Sequence, residues 1–221
     1  MKPLPAILRR RDDPPRLPKR ERTRRKLVAA AIASISEHGA KGTTMLQIAE
    51  AAGMTTATVY NHFPTKAEIV RAVAVSVAET IRERSAPARA ALPTGAEQIA
   101  AGCRRYLGLA ESSPAWALLV LDVASVDATF RQTISGFVQT ELRRGLRGGE
   151  FHVASEAAAL DLVIGATMEG MRRIALGEAR RQHAAAVTAG ILRGLGVSAA
   201  RADRLSNRKL PLFAGNDSPA T

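Results

Sequence analysis

The 221-residue sequence predicts an all-α protein, a short three-helix unit near the N-terminus followed by a longer helical body. Three observations predict it. Helix formers dominate, aromatic residues make up only 4%, and no stretch sustains the period-2 alternation of a half-buried strand. Apolar residues recur instead at i, i+4 and i+7 or i+8. Finally, residues 43–68, TTMLQIAEAAGMTTATVYNHFPTKAE, twice repeat the S/T-x-x-E/Q form of a helix start, at Thr44 with Gln47 and at Thr65 with Glu68, on either side of Gly53.

Residues 1–20 hold five prolines and seven Lys or Arg, too little apolar material to order themselves, so residues 1–21 form a flexible basic arm. A helix is expected over residues 23–36, with Leu27, Ala31 and Ile35 facing a core and His38-Gly39 ending it. Ile48, Ala49 and Ala52 then mark a short helix, Gly53 supplies a left-handed turn, and Thr55 caps a second short helix that carries Val59 and Phe63 inward. Pro64 stops it, and a helix from Thr65 to about residue 84 carries Ile69, Val73 and Val77. Residues 85–95, with Pro87 and Pro93, read as a connecting loop. Body helices are expected over residues 96–111, 115–125, 128–146, 155–176 and 180–195, broken by Pro114, Gly148-Gly149 and Gly177, with Ser155 as a cap. The domains are therefore 1–21, 22–70, 71–205 and a disordered tail, 206–221.

Two short helices about a glycine turn, small Ala49 at the crossing and hydrogen-bonding residues outward on the second helix make a helix-turn-helix; the alternative is an ordinary αα-hairpin. The segments RRKLVAAAIASISEHGAKGTT, TTMLQIAEAAGM and TTATVYNHFPTKAEIV closely resemble the DNA-binding domain of the TetR family of bacterial repressors, over about a quarter of the chain. The resemblance implies that Thr44, Thr56, Tyr60, His62 and Lys66 contact phosphates or base edges. The full DNA-facing set is then Thr44, Thr55, Thr56, Ala57, Thr58, Tyr60, Asn61, His62 and Lys66, joined by Arg9, Arg10 and Arg11 of the arm. It further implies a homodimer built on the last two body helices, through Leu162, Gly165, Met168, Val187, Gly190, Ile191 and Gly194, with Val163 and Leu195 adding apolar surface. The same residues also suit the subunit's own core. A small-molecule effector pocket would lie inside the body, with Tyr106, Trp116, Leu119, Phe130, Phe137 and Met171 as bulky lining and Asp122 as an acid facing a cation. Ordinary core packing for the aromatics, and a solvated or arginine-paired Asp122, are the competing readings.

Charge is unevenly spread around a net +12, with 11 Lys and Arg against 3 acids in residues 1–26. Between Lys41 and Lys66 there is no Lys or Arg, so the arm is expected to supply most of the electrostatic affinity for a polyanion. The single Cys103 excludes an intramolecular disulfide and a Cys-based zinc site, and reads as a packed residue. No signal-peptide core or membrane-length apolar run is present, which places the chain in the cytoplasm and off the membrane. His38, His62, His152 and His183 lack metal-ligand spacing, and neither a nucleophile elbow nor a phosphate loop occurs, so no catalytic residues, metal or cofactor are expected. The expected function is a ligand-responsive transcriptional regulator, a repressor released from double-stranded operator DNA by an effector. The alternatives are a ligand-independent DNA-organising protein and an all-α enzyme.

Overall fold

The computed structural model describes residues 17–210, which form ten α-helices. The head comprises α1 (Lys19–Gly42), α2 (Met45–Ala52), α3 (Thr56–His62) and the start of α4 (Lys66–Ala90). Its core is the stripe the sequence marks: Leu27, Ala31, Ile35, Ile48, Val59, Phe63 and Ile69 are all buried. At about 1.5–3 kcal/mol for each large apolar side chain removed from water, this small core stabilises a unit in which α2 and α3, of 8 and 7 residues, are too short to persist alone. The same apolar cluster continues along α4 through Val73, Val77 and Ile81 to Trp116, Val120 and Phe130 of the body, so head and body share one core.

The body comprises α5 (Gly95–Ser112), α6 (Pro114–Val126), α7 (Ala128–Arg147), α8 (Glu156–Ala175), α9 (His183–Gly194) and α10 (Ala199–Asn207). α5 is its central helix and touches α4 and every helix from α6 to α10. It starts on a capping box in which Thr94 and Glu97 satisfy each other's backbone N–H groups. Its first residue, Gly95, crosses Gly145 of α7 so closely that a Cβ at residue 95 would stand 2.5 Å from the Gly145 nitrogen. The other face of Gly145 is covered by the Phe151 ring.

Four expectations need correction. α1 begins at Lys19 rather than residue 23, and residues 1–16 of the expected arm lie outside the described residues; α1 is also interrupted, not ended, at Gly39 (φ 75°), where Thr43 ties its amide and hydroxyl to the Gly39 carbonyl. α4 runs through Pro87, where the sequence suggests a loop, and a division at residue 70 therefore falls inside a continuous helix. Tertiary packing beyond the proline overrides the local signal: Ala88 and Leu92 are buried, Arg89 pairs with Glu141 at 2.7 Å, and the Gln98 side chain donates to the carbonyls of Arg89 and Leu92. α9 starts at His183, three residues later than expected, because Gln182 adopts a left-handed conformation (φ 66°). A further helix, α10, forms beyond residue 195, where no helix was expected, and runs past residue 205 into the expected tail. α10 buries Ala202, Leu205 and Ser206, and beyond it Arg208 pairs with Glu97 at 2.5 Å. Residues 211–221 lie outside the described residues.

Candidate nucleic-acid interface and body cavity

Local sequence sets the reading head. Thr44 accepts from the Gln47 amide at 3.2 Å while Gln47 accepts from the Thr44 amide at 2.8 Å, which fixes the start of α2. Gly53, at φ 63° and ψ 38°, turns the chain as only glycine does without strain, and the Met54 amide closes back on the Ala49 carbonyl. Thr55 then accepts from the Thr58 amide at 3.2 Å, and the two hydroxyls lie 2.9 Å apart. With Val59 and Phe63 buried, α3 turns Ala57, Tyr60 and Asn61 outward, while Thr56, Thr58 and His62 are half-buried beside them.

Two cations near this surface are engaged by the fold. Lys66 donates to the Lys41 carbonyl at 2.8 Å and so joins the start of α4 to the α1–α2 link. Arg24 stacks 4.2 Å over the Phe63 ring and donates to the His62 carbonyl, bracing α3 against α1. Lys19, Arg20, Arg22 and Lys26 of α1 are exposed. Arg9, Arg10 and Arg11 lie outside the described residues.

The body holds an internal cavity of about 80 Å³ walled by α4, α5, α6, α7 and α8. A wider outer recess, about 320 Å³, opens between α4 and α7. Arg82, Arg89, Phe137 and Glu141 line both and form the partition between them. Of the bulky candidates, Tyr106, Phe137 and Met171 line the cavity; Trp116, Leu119 and Phe130 do not, being packed in the core on other faces of α6 and α7. Asp122 is exposed and turned away. The carboxylate inside is Glu141, overlooked although it falls on the apolar stripe Phe130, Ile134, Phe137 of α7, where an acid is out of place and needs a partner.

Burial pushes the Glu141 carboxyl from 4.5 up to about 7, against the pull of Arg89 and then Arg105. Burial and then the neighbouring Arg89 charge lower the Arg105 guanidinium, with Glu141 opposing. Burial, reinforced by Glu141, raises the Tyr106 phenol well above its ordinary range and keeps it neutral. Cys103 is pushed by burial from 9.0 to about 12; it accepts from the Thr167 hydroxyl at 3.4 Å and stays a thiol at neutral pH. Among the described residues no group of three or more His, Cys, Asp or Glu is arranged to hold a metal ion.

The outer face of α8 and α9 carries Leu162 and Leu176, both exposed, and Gly165 and Gly190, each with open space where a Cβ would stand. A shallow groove between the helices is lined by Leu162, Ala166, Val187 and Gly190. Gly194 sits beneath the Leu162 side chain. The expected interface set divides here: Ile191, Val163 and Leu195 are buried in the subunit's own core, and Met168 lines the cavity. Near the head, Arg71 of α4 reaches Asp127, which caps α7 through the Phe130 amide, at 3.4 Å.

A helix-turn-helix head joined by one continuous helix to a cavity-bearing helical body defines a DNA-binding transcriptional regulator. The model for bacterial regulatory proteins of the tetR family matches residues 27–73, and the model for the tetracyclin repressor-like C-terminal domain matches residues 94–208. The chain belongs to the tetR family of bacterial regulatory proteins. Its fold is similar to RolR in complex with resorcinol, at 23% identity and TM-score 0.68 over 89% of this chain and 98% of that one. Ligand-free RolR gives 22% identity and TM-score 0.67 over 86% and 100%. FadR from Bacillus subtilis in complex with stearoyl-CoA gives 19% identity and TM-score 0.60 over 77% and 96%. No curated protein matches the chain by sequence. Among the described residues no helix is long and apolar enough to cross a membrane.

Proposed function

We propose that the chain acts in the cytoplasm as a homodimeric repressor that leaves a palindromic operator when a small molecule fills the body cavity. One observation carries this reading: α4 walls the cavity through Ile81, Arg82 and Arg89 and, without a break, enters the head at Lys66. A molecule that parts α4 from α7 therefore also reorients the head. RolR with resorcinol and FadR with stearoyl-CoA are relatives of the same fold holding small molecules, which supports the same use of this body. On the head, Tyr60, His62 and Lys66, with Thr44 and Thr55 at the helix starts, face phosphates. Thr56, Ala57, Thr58 and Asn61 meet base edges or thymine methyls.

The exposed small-residue face of α8 and α9 meets its twofold mate, so the two heads read half-sites on one face of the duplex. Effector binding shifts populations and has to favour the released arrangement by about 5.5 kcal/mol for a full reversal from 1:99 to 99:1. No chemical step is assigned to the body, and the cavity binds without turnover. The test is selection of fragmented bacterial genomic DNA by the purified full chain. An enriched inverted repeat is the expected outcome; recovery of fragments without a shared motif would favour a DNA-organising protein instead.

A further inference from the structure

We propose that the cavity takes a compact neutral molecule bearing a hydroxyl, an alcohol or a phenol, which accepts from Tyr106, donates to Glu141 and seats its apolar body against Val120, Leu121 and Met171. This rests on the reading of the cavity as the effector site and names the class of molecule it takes. Two polar atoms of the wall are left unmet. Tyr106 lines the cavity so deeply that burial keeps its phenol neutral, and its hydroxyl has no hydrogen-bond partner among the described residues. Glu141 gives only Oε1 to Arg89, at 2.7 Å. Its Oε2 accepts from no described residue and faces α5, where a Cβ at Gly102 would stand 3.6 Å away. Gly102 lines the inner cavity and not the outer recess, so this oxygen is on the inner side. Tyr106 follows Gly102 by one turn on the same face of α5. The phenol feels the Glu141 charge, yet no hydrogen bond joins the two.

Polar groups left unmet in a low-dielectric interior are costly, and a molecule that meets both relieves the cost. A hydroxyl does so at one atom, because it accepts and donates; a ketone or ether accepts from Tyr106 and leaves Glu141 unmet. The charged groups of the wall call for no counter-ion. Arg89 already holds Glu141, half-buried Arg82 lies over the Phe137 ring at 4.9 Å, and Arg105 has an interaction of its own. An anion would stand against Glu141, and a cation would join three guanidiniums. The rest of the lining is largely apolar, with Ile99, Val120, Leu121, Ile134 and Met171. At about 80 Å³ the cavity is smaller than the roughly 150 Å³ space that takes benzene, so a six-membered ring enters only as the α4–α7 partition yields.

The test is titration calorimetry on the full chain with phenol, benzyl alcohol and cyclohexanol, each against an analogue without the O–H (anisole, toluene and cyclohexanone), and with benzoate and benzylamine. Operator occupancy is followed in parallel on the DNA recovered by genomic selection. At least one hydroxyl compound should bind tenfold or more tightly than its analogue and than either charged probe. Y106F should weaken that compound severalfold, and R89M/E141M, which removes the ion pair and its free oxygen together, should cut its preference over the analogue. If the double variant does not fold, Y106F and the wild-type comparison decide. Equal affinity for hydroxyl compound and analogue, tighter binding of benzoate or benzylamine, binding of none of these probes, or a folded Y106F that binds as the wild type would overturn the hydroxyl class. A hydroxyl compound that binds with this preference while operator occupancy stays unchanged would leave the class standing and remove the effector role. An analogue that binds equally and releases the operator would do the reverse.

Discussion

Glu141 is the residue on which the body's electrostatics turn. Its carboxyl titrates at about 7 in the folded chain against an ordinary 4.5, with Arg89 and Arg105 facing it from α4 and α5. The folded state therefore holds a proton that the unfolded state has released over that interval, and stability falls as pH rises from 4.5 toward 7 and then levels. Glu141→Gln keeps the shape and removes the titration. Urea unfolding at pH 5, 6, 7 and 8 should show the wild type losing stability over this window relative to the variant; parallel curves would contradict the assignment. Residue-scale readings of the sequence succeeded where the signal was local. The Thr44–Gln47 box, Gly53 and the caps at Thr55 and Thr65 lie within three or four residues of their partners, and the structure has all of them. Glu141 escaped because its partner, Arg89, is 52 positions away.

Among the elements, α4 is the link, and Pro87 is its weak point. Pro87 has no N–H to close the turn before it and would ordinarily end a helix. Pro87→Ala should restore a donor within the last turns and stabilise the fold by about 1 kcal/mol or more, read as a melting-temperature rise of roughly 2–4 °C. A fall in melting temperature would mean that the proline matches a strained helix end. The α5–α7 crossing predicts the opposite sign. Gly145→Ala places a methyl 2.1 Å from the Phe151 ring, and displacing that ring should cost about 1–3 kcal/mol by thermal unfolding. An unchanged melting temperature would mean the ring moves freely. The existence of α1 to α9 was legible in the sequence, because apolar spacing is a property of each segment, whereas α10, nine residues held by packing on α9 and α5, was not expected. Helix ends were not legible wherever distant packing decided them, as at Ala88 and Leu92 beyond Pro87, or at Ser206, buried in the last turn of α10.

At the scale of the whole molecule, the proposed function joins three parts: a DNA-facing head, a cavity and an outer α8–α9 face. Gly190 has open space above it, so Gly190→Arg should leave the subunit folded and place an unpaired charge in the proposed twofold seam. Sedimentation should then give monomers, and an intact dimer would move the interface elsewhere. Ile191, buried in the subunit's own core, does not test this. The basic arm belongs to the same scale, since the head has no Lys or Arg between Lys41 and Lys66. Removing residues 1–16, which stops short of α1, should lower operator affinity and flatten its salt dependence, by about 0.9 in slope for each phosphate the arm no longer neutralises. An unchanged slope would make the arm a solubilising tail. The most direct test of DNA reading by α3 is the affinity of the full chain for its selected operator, measured beside the variant carrying both Tyr60→Ala and Asn61→Ala, two exposed positions whose replacement leaves the core intact. The folded variant is expected to bind at least a hundredfold more weakly, and the preference at one base position in each half-site should disappear. A variant that binds the same operator with wild-type affinity and preference would contradict the claim that α3 reads the DNA.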